Sequence, residues 1–197
     1  MEVRIITNAY KLYKDARDAS WQCLIRTGAA ELPIKVLKTT AFCGVKVAKD
    51  STVQILEQGV SGCTLLDENG WQIVYRDSEN RGRTRFTIAH ELGHILLGHE
   101  LSDSGGHFRT ASDRREPAEK QADEFAARLL APACVLWALD LYDSAEIMCV
   151  CDISAEAAGY RAKRMEVLRN RGKFLTSPLE RQVFENFKPW IEQQKDQ

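Results

Sequence analysis

The sequence predicts an α+β fold, a small sheet set among helices. Three observations predict it. The stretch "CTLLDENGWQIVYRD" places two β-prone runs on either side of "DENG", which is a hairpin signal. A third β-prone run lies around Gly44 to Ala48. Segments of helical periodicity surround all three runs.

In chain order, residues 8–29 read as a helix, with Tyr10, Tyr13, Ala16, Ala19, Trp21 and Leu24 near helical spacing. "LPIKVLKTTAFCGVKVAK" predicts a short helix and then a strand. The hairpin follows. In it Trp71, Ile73 and Tyr75 alternate onto one face, either packed on the core or offered as an edge along which a peptide pairs. "RTRFTIAHELGHILLG" reads as a helix that stops at Gly98, a residue suited to the position after a helix. Residues 100–116 are polar and contain Gly105 and Gly106, so they predict a loop, either a lid or a plain connection. "PAEKQADEFAARLLAP" is a second strong helix, with Pro117 in its first turn and Pro132 past its end. The remainder reads as helical, and Ser177-Pro178-Leu179-Glu180 reads as a capping box opening the last helix.

Composition narrows the function classes. A chain of 197 residues suits one domain with a sizeable core. A net charge of -1 gives no whole-molecule pull toward nucleic acid or an anionic membrane. No apolar run approaches the roughly 20 residues that span a bilayer. The opening residues lack the apolar core of a signal peptide, so a cytoplasmic location without membrane contact is expected. Cys23, Cys43, Cys63, Cys134, Cys149 and Cys151 are then expected to be reduced thiols acting as small packing residues.

The chemistry concentrates in "TIAHELGHILLGHE", which carries three of the four histidines. His90 and His94 stand four apart, so a helix projects both from one face, one turn from each other. That spacing lets two imidazoles reach one ion. Glu91, between them in H-E-x-x-H, lies beside such an ion and can take a proton from water. Thr87, His90, Glu91 and His94 form one polar stripe, and Ala89, Leu92, Ile95 and Leu96 supply apolar faces. The helix is therefore expected to be mostly buried. Gly93 costs about 1 kcal/mol in a helix interior relative to Ala, and close packing against a strand would be one reason for it. His99 follows the Gly98 stop and is read as facing away from the stripe.

A catalytic zinc takes three protein ligands and leaves a position for water. The second helix offers Glu119 and Asp123 on one face, with Ala122 and Ala126 small enough to let it approach the first helix closely. Glu119 would complete a His, His, Glu set, and Asp123 would hold the free nitrogen of a ligand histidine. Such donors suit Zn2+, and Mn2+ or Fe2+ as well.

"RFTIAHELGHILLGH" followed by "EKQADEFAARLLAP" resembles the ImmA/IrrE family of metallopeptidases. The family pattern is H-E-x-x-H and then E-x-x-A-[ND]-x-F-A-x-x-L-L-x-P. Here Ala131 stands where a Met is common. "YKLYKDARDASWQCL", "LPIKVL" and "LERQVFENFKPWI" resemble short family members more weakly, and no large sensor domain is expected. The resemblance implies a zincin-like fold with the sheet against the active-site helix. Residues 1–132 would form the metallopeptidase core and residues 133–197 a helical extension, helix-turn-helix-like in outline. It also implies a substrate: a helix-turn-helix transcriptional repressor of a bacterium, phage or integrative element, inactivated by cleavage.

Within that frame His90, His94 and Glu119 are the expected metal ligands, Glu91 the general base and Asp123 the support of a ligand histidine. A second donor to the oxyanion is sought among Tyr75, His107 and Arg109. The stretch "GYRAKRMEVLRNRGKF" carries Arg161, Lys163, Arg164, Arg169, Arg171 and Lys173 against Glu166. It reads either as a contact for DNA or a DNA-bound repressor, or as a solvated helix packing through Tyr160, Met165 and Leu168. Two other functions stay open: a metal-binding anti-repressor that works without turnover, and a DNA-binding regulator on a zincin scaffold.

Overall fold

The computed structural model describes residues 2–99 and 117–196, with side chains from residue 11 on. Its element order is α1 (Glu2–Arg26), α2 (Val36–Phe42), β1 (Lys46–Lys49), α3 (Asp50–Val53), β2 (Gly62–Asp67), β3 (Gly70–Tyr75), α4 (Arg81–Leu97), α5 (Pro117–Leu130), α6 (Ala133–Ala138), α7 (Ser144–Cys151), α8 (Ala155–Asn170) and α9 (Pro178–Lys195). Among the described residues this is an α+β fold with one small mixed sheet.

The sheet has the order β1-β3-β2. β1 runs parallel to β3, with Val47 opposite Ile73, and β2 runs antiparallel, with Thr64 opposite Ile73. The "DENG" hairpin closes with Asp67 opposite Gly70, whose φ of +97° needs a glycine. Asp67 Oδ1 accepts the Asn69 N–H at 2.7 Å and shapes the turn. β3 is central, so its side chains pack. Ile73 is fully buried, Tyr75 nearly so, and Trp71 lies against the same core.

α4 lies across β2 and β3, α5 packs on α4, and α1 covers α5. α1 begins at Glu2, earlier than the periodicity around residue 8 suggested. It buries Ala16, Ser20, Trp21, Cys23 and Leu24 along one face. α4 begins at Arg81, two residues before the predicted start, because Asn80 caps it by accepting the Arg83 N–H at 2.9 Å. α9 closes against α1 and α6. Its start differs from a capping box. Ser177 makes no side-chain cap bond, and Glu180 Oε2 takes the Thr176 N–H at 3.1 Å.

The C-terminal helices are tied to α4 by arginine. Buried Arg85 donates from Nε to the Asp152 carbonyl at 2.8 Å and from Nη2 to the Cys151 carbonyl at 3.3 Å. Arg81 meets the Asp152 carboxylate at 2.6 Å. Gly82 makes this docking possible, since a Cβ there would stand 2.6 Å from Ser154 N and 2.7 Å from Ile153 C. Those are backbone atoms and cannot rotate away. Gly82→Ala should therefore lose about 1–3 kcal/mol in chemical denaturation, despite alanine's better helix propensity.

α7 and α8 pack together across residues 152–154. The buried stripe of α8 is Ala158, Arg161 and Met165, while Tyr160 is 70% exposed. Packing through Tyr160, suggested by its apolar ring, does not occur. The phase of the helix turns the next residue, Arg161, inside in its place. The six cysteines are free thiols; Cys149 is exposed, Cys43 half-buried and the other four buried.

Candidate metal centre

The centre forms where α4 and α5 touch. A Cβ on Gly93 would stand 3.0 Å from Phe125 Cδ1 and 3.3 Å from Ala122 Cα. Gly93 is thus explained by a neighbouring helix, not by the strand expected from the sequence. Ala122 and Ala126 are fully buried on the facing side. Small residues on both helices let the backbones approach, and Glu119 in the first turn of α5 reaches the two histidines of α4.

The distances are short and mutual. His90 Nε2 lies 3.2 Å from Glu119 Oε2, and His94 Nε2 lies 3.1 Å from Glu119 Oε1. The two Nε2 atoms are 2.9 Å apart. All three residues are buried, with exposures of 0% for His90, 2% for His94 and 7% for Glu119. Ligand atoms at about 2.0–2.1 Å from a tetrahedral ion stand about 3.3 Å from one another. The observed triangle is close to that size. Burial pushes the Glu119 carboxyl up, but His90 and His94 in their protonated form, whose place an ion would take, outweigh it through hydrogen bonds and charge and hold the group well below the usual carboxylate range. It is ionised at neutral pH, as a ligand must be.

Hydrogen bonds behind each imidazole decide which nitrogen faces the centre. His90 Nδ1 is 2.9 Å from Asp123 Oδ1. An ionised carboxylate only accepts, so Nδ1 carries the proton and Nε2 presents its lone pair. His94 is fixed through a longer chain. The Leu12 carbonyl can only accept, and Gln121 Nε2 donates to it at 3.0 Å. Gln121 Oε1 then accepts from His99 Nε2 at 3.0 Å. His99 Nδ1, bare in that tautomer, accepts from His94 Nδ1 at 2.9 Å. His94 Nε2 is left with its lone pair toward Glu119. Two lone pairs and a carboxylate converge in a buried space, and this donor set fits a divalent cation.

Glu91 is 1% exposed, and Thr64 Oγ1 donates to its Oε2 at 2.7 Å. β2 can carry Thr64 to α4 because Gly62, two residues back on the same face, has no room for a side chain. A Cβ there would stand 2.5 Å from Thr87 Cγ2.

The structure thus brings His90, His94, Glu119 and Asp123 together, with Glu91 on the same helix. Tyr75 is not part of this group. Its ring packs in the core, and its phenol is pushed up by burial and by the charge of Asp77. His107, Arg109 and the lid reading of residues 100–116 lie outside the described residues.

Sequence reasoning missed Thr64, Gln121 and His99, and it placed His99 facing the wrong way. The corrective signal was in the helix stop. Gly98 has φ +67°, and the His99 N–H returns to the His94 carbonyl at 3.0 Å. That is the Schellman arrangement, which lays the second residue past the helix against the residue three from its end. Here those residues are His99 and His94.

No curated protein matches the chain. The family model of the IrrE N-terminal-like domain, Peptidase M78, matches residues 44–163. Those residues take in both helices of the centre and the strand that supports Glu91. Because the match runs over more than half of the chain, the chain belongs to this peptidase family, the group with IrrE-like N-terminal domains whose hallmark helices its sequence resembles.

Proposed function

We propose that the chain is a zinc-dependent endopeptidase that cleaves and inactivates a helix-turn-helix transcriptional repressor. The observation that carries the enzymatic part is the buried convergence of His90 Nε2, His94 Nε2 and a Glu119 carboxylate oxygen. The repressor class rests on the resemblance to ImmA/IrrE metallopeptidases.

His90, His94 and Glu119 would hold the ion. A divalent ion held there supplies Lewis acidity, polarising the scissile carbonyl and making water acidic enough to attack near neutral pH. Glu91 accepts the proton of the attacking water and returns it to the leaving nitrogen. Thr64 steadies the Glu91 carboxylate through its hydroxyl, and a hydrogen bond to the charged form favours the base over its conjugate acid. Among the described residues β2 is an edge strand of the sheet, so a substrate segment can add to it beside Glu91.

The test is direct. The purified chain is incubated with the helix-turn-helix repressor encoded beside its gene, with zinc and with a chelator. Discrete repressor fragments are expected with zinc and none with chelator. An intact repressor under both conditions, or cleavage indifferent to the chelator, overturns the proposal.

A further inference from the structure

We infer that a cluster of guanidinium groups between α1, α5 and α8 binds a dianionic phosphoryl group. It does not depend on the metal centre. Tyr13 of α1 sits between arginines from two helices. The Arg128 guanidinium of α5 lies over its ring at 4.3 Å, and that of Arg164 of α8 at 5.3 Å. Arg164 also donates from Nη2 to the Tyr13 hydroxyl. Arg161, one turn before Arg164, is only 5% exposed and lies within reach of the charges of Arg128 and Arg164.

These cations are unequally compensated. Arg128 is paired with Glu124, and Arg17 near the rim with Asp18 at 2.8 Å. Among the described residues Arg161 and Arg164 have no carboxylate partner within ion-pair distance. Their Nε–H groups are buried without an acceptor. Burial and the neighbouring Arg128 push the Arg161 guanidinium down to about 9, still charged at neutral pH. A buried, unpaired guanidinium is among the costliest groups a fold can hold, and it is retained where an anion meets it. Two uncompensated charges call for a dianion. Two Nε–H donors without acceptors, on arginines one turn apart, suit a tetrahedral oxyanion with several acceptor oxygens. The enclosure of Arg161 favours a small ligand, either inorganic phosphate or the phosphate of a small ester. The Tyr13 phenol, whose proton burial would retain but which Arg128 and Arg164 loosen, could offset at most one charge.

Thermal unfolding of the full chain at fixed ionic strength tests this, with phosphate exchanged against chloride. Phosphate should raise Tm saturably, by roughly 5 °C or more at a hundredfold excess over Kd. Sulfate, equal in shape and charge, should act alike, and acetate should not. Glycerol phosphate separates the two ligand sources: an equal or larger shift means that an ester is accepted, and no shift means that the free ion is the ligand. Arg161→Met should abolish the phosphate response while leaving Tm in chloride at or above that of the wild type. The half-exposed variant Arg164→Gln should weaken the response at least tenfold in phosphate concentration. Equal Tm in phosphate and chloride overturns the inference, and so does an undiminished response in both variants, which would move the anion elsewhere.

Discussion

Glu91→Gln is expected to lower the peptidase rate by about 10²–10⁴-fold while zinc content stays near that of the wild type. The two halves of this result come from different atoms. Glutamine is nearly isosteric with glutamate, and its amide oxygen can still accept the Thr64 hydroxyl, now 2.7 Å from the carboxylate. The helix and the strand behind it should therefore keep their places. The proposed donors to the ion are His90, His94 and Glu119, none of which the substitution touches. What disappears is basicity, since an amide cannot take a proton from water at neutral pH. The same variant separates the protease from an anti-repressor that acts by binding alone. A binding protein would still relieve repression in cells with Gln at this position. Full biological activity of Glu91→Gln, alongside an intact repressor, would remove the enzymatic reading and leave the metal-binding one.

Much of the fold was legible because its signals are local. The "DENG" turn, Pro117 in the first turn of α5 and the Gly98 stop each fix a boundary through backbone geometry that few residues adopt. The His90–His94 spacing is equally local, since one helical turn decides it. Glu119 needed a second helix, and the small residues Ala122 and Ala126 announced the close approach. What stayed illegible depends on partners distant in the chain. Thr64 reads as an ordinary strand residue until β2 is laid across α4. Arg161 reads as one more solvated cation in a basic stretch, and only the phase of α8 against the core turns it inward while Tyr160 turns out. Gly93 was recognised as a close contact but assigned to the wrong neighbour, because sequence shows that space is tight and not what fills it.

Glu119→Ala should reduce zinc affinity more than any change behind the ligands. Removing the carboxylate deletes one of three donors and the only negative charge among them, and it leaves two buried imidazoles facing a void. Changes one bond further out act by orientation. Asp123→Ala and His99→Ala should each cost roughly 10–100-fold in affinity, because each imidazole loses the acceptor that keeps its proton on Nδ1. Gln121→Leu should follow His99→Ala, since the Leu12 carbonyl sets the amide and the amide sets His99. His99→Gln tests the direction of that chain: its amide oxygen can accept the same His94 proton and should recover part of the loss, whereas a purely steric role would show no recovery. Glu116→Ala, at a position outside the described residues, serves as the neighbouring control and should leave zinc binding unchanged. Competition with a chromophoric chelator measures the whole series without any need for substrate. Equal affinities for wild type and Glu119→Ala would exclude Glu119 as a ligand. A His99→Ala variant indistinguishable from wild type would reduce the His94–His99 contact to packing at the helix end, with the tautomer of His94 set by some other group.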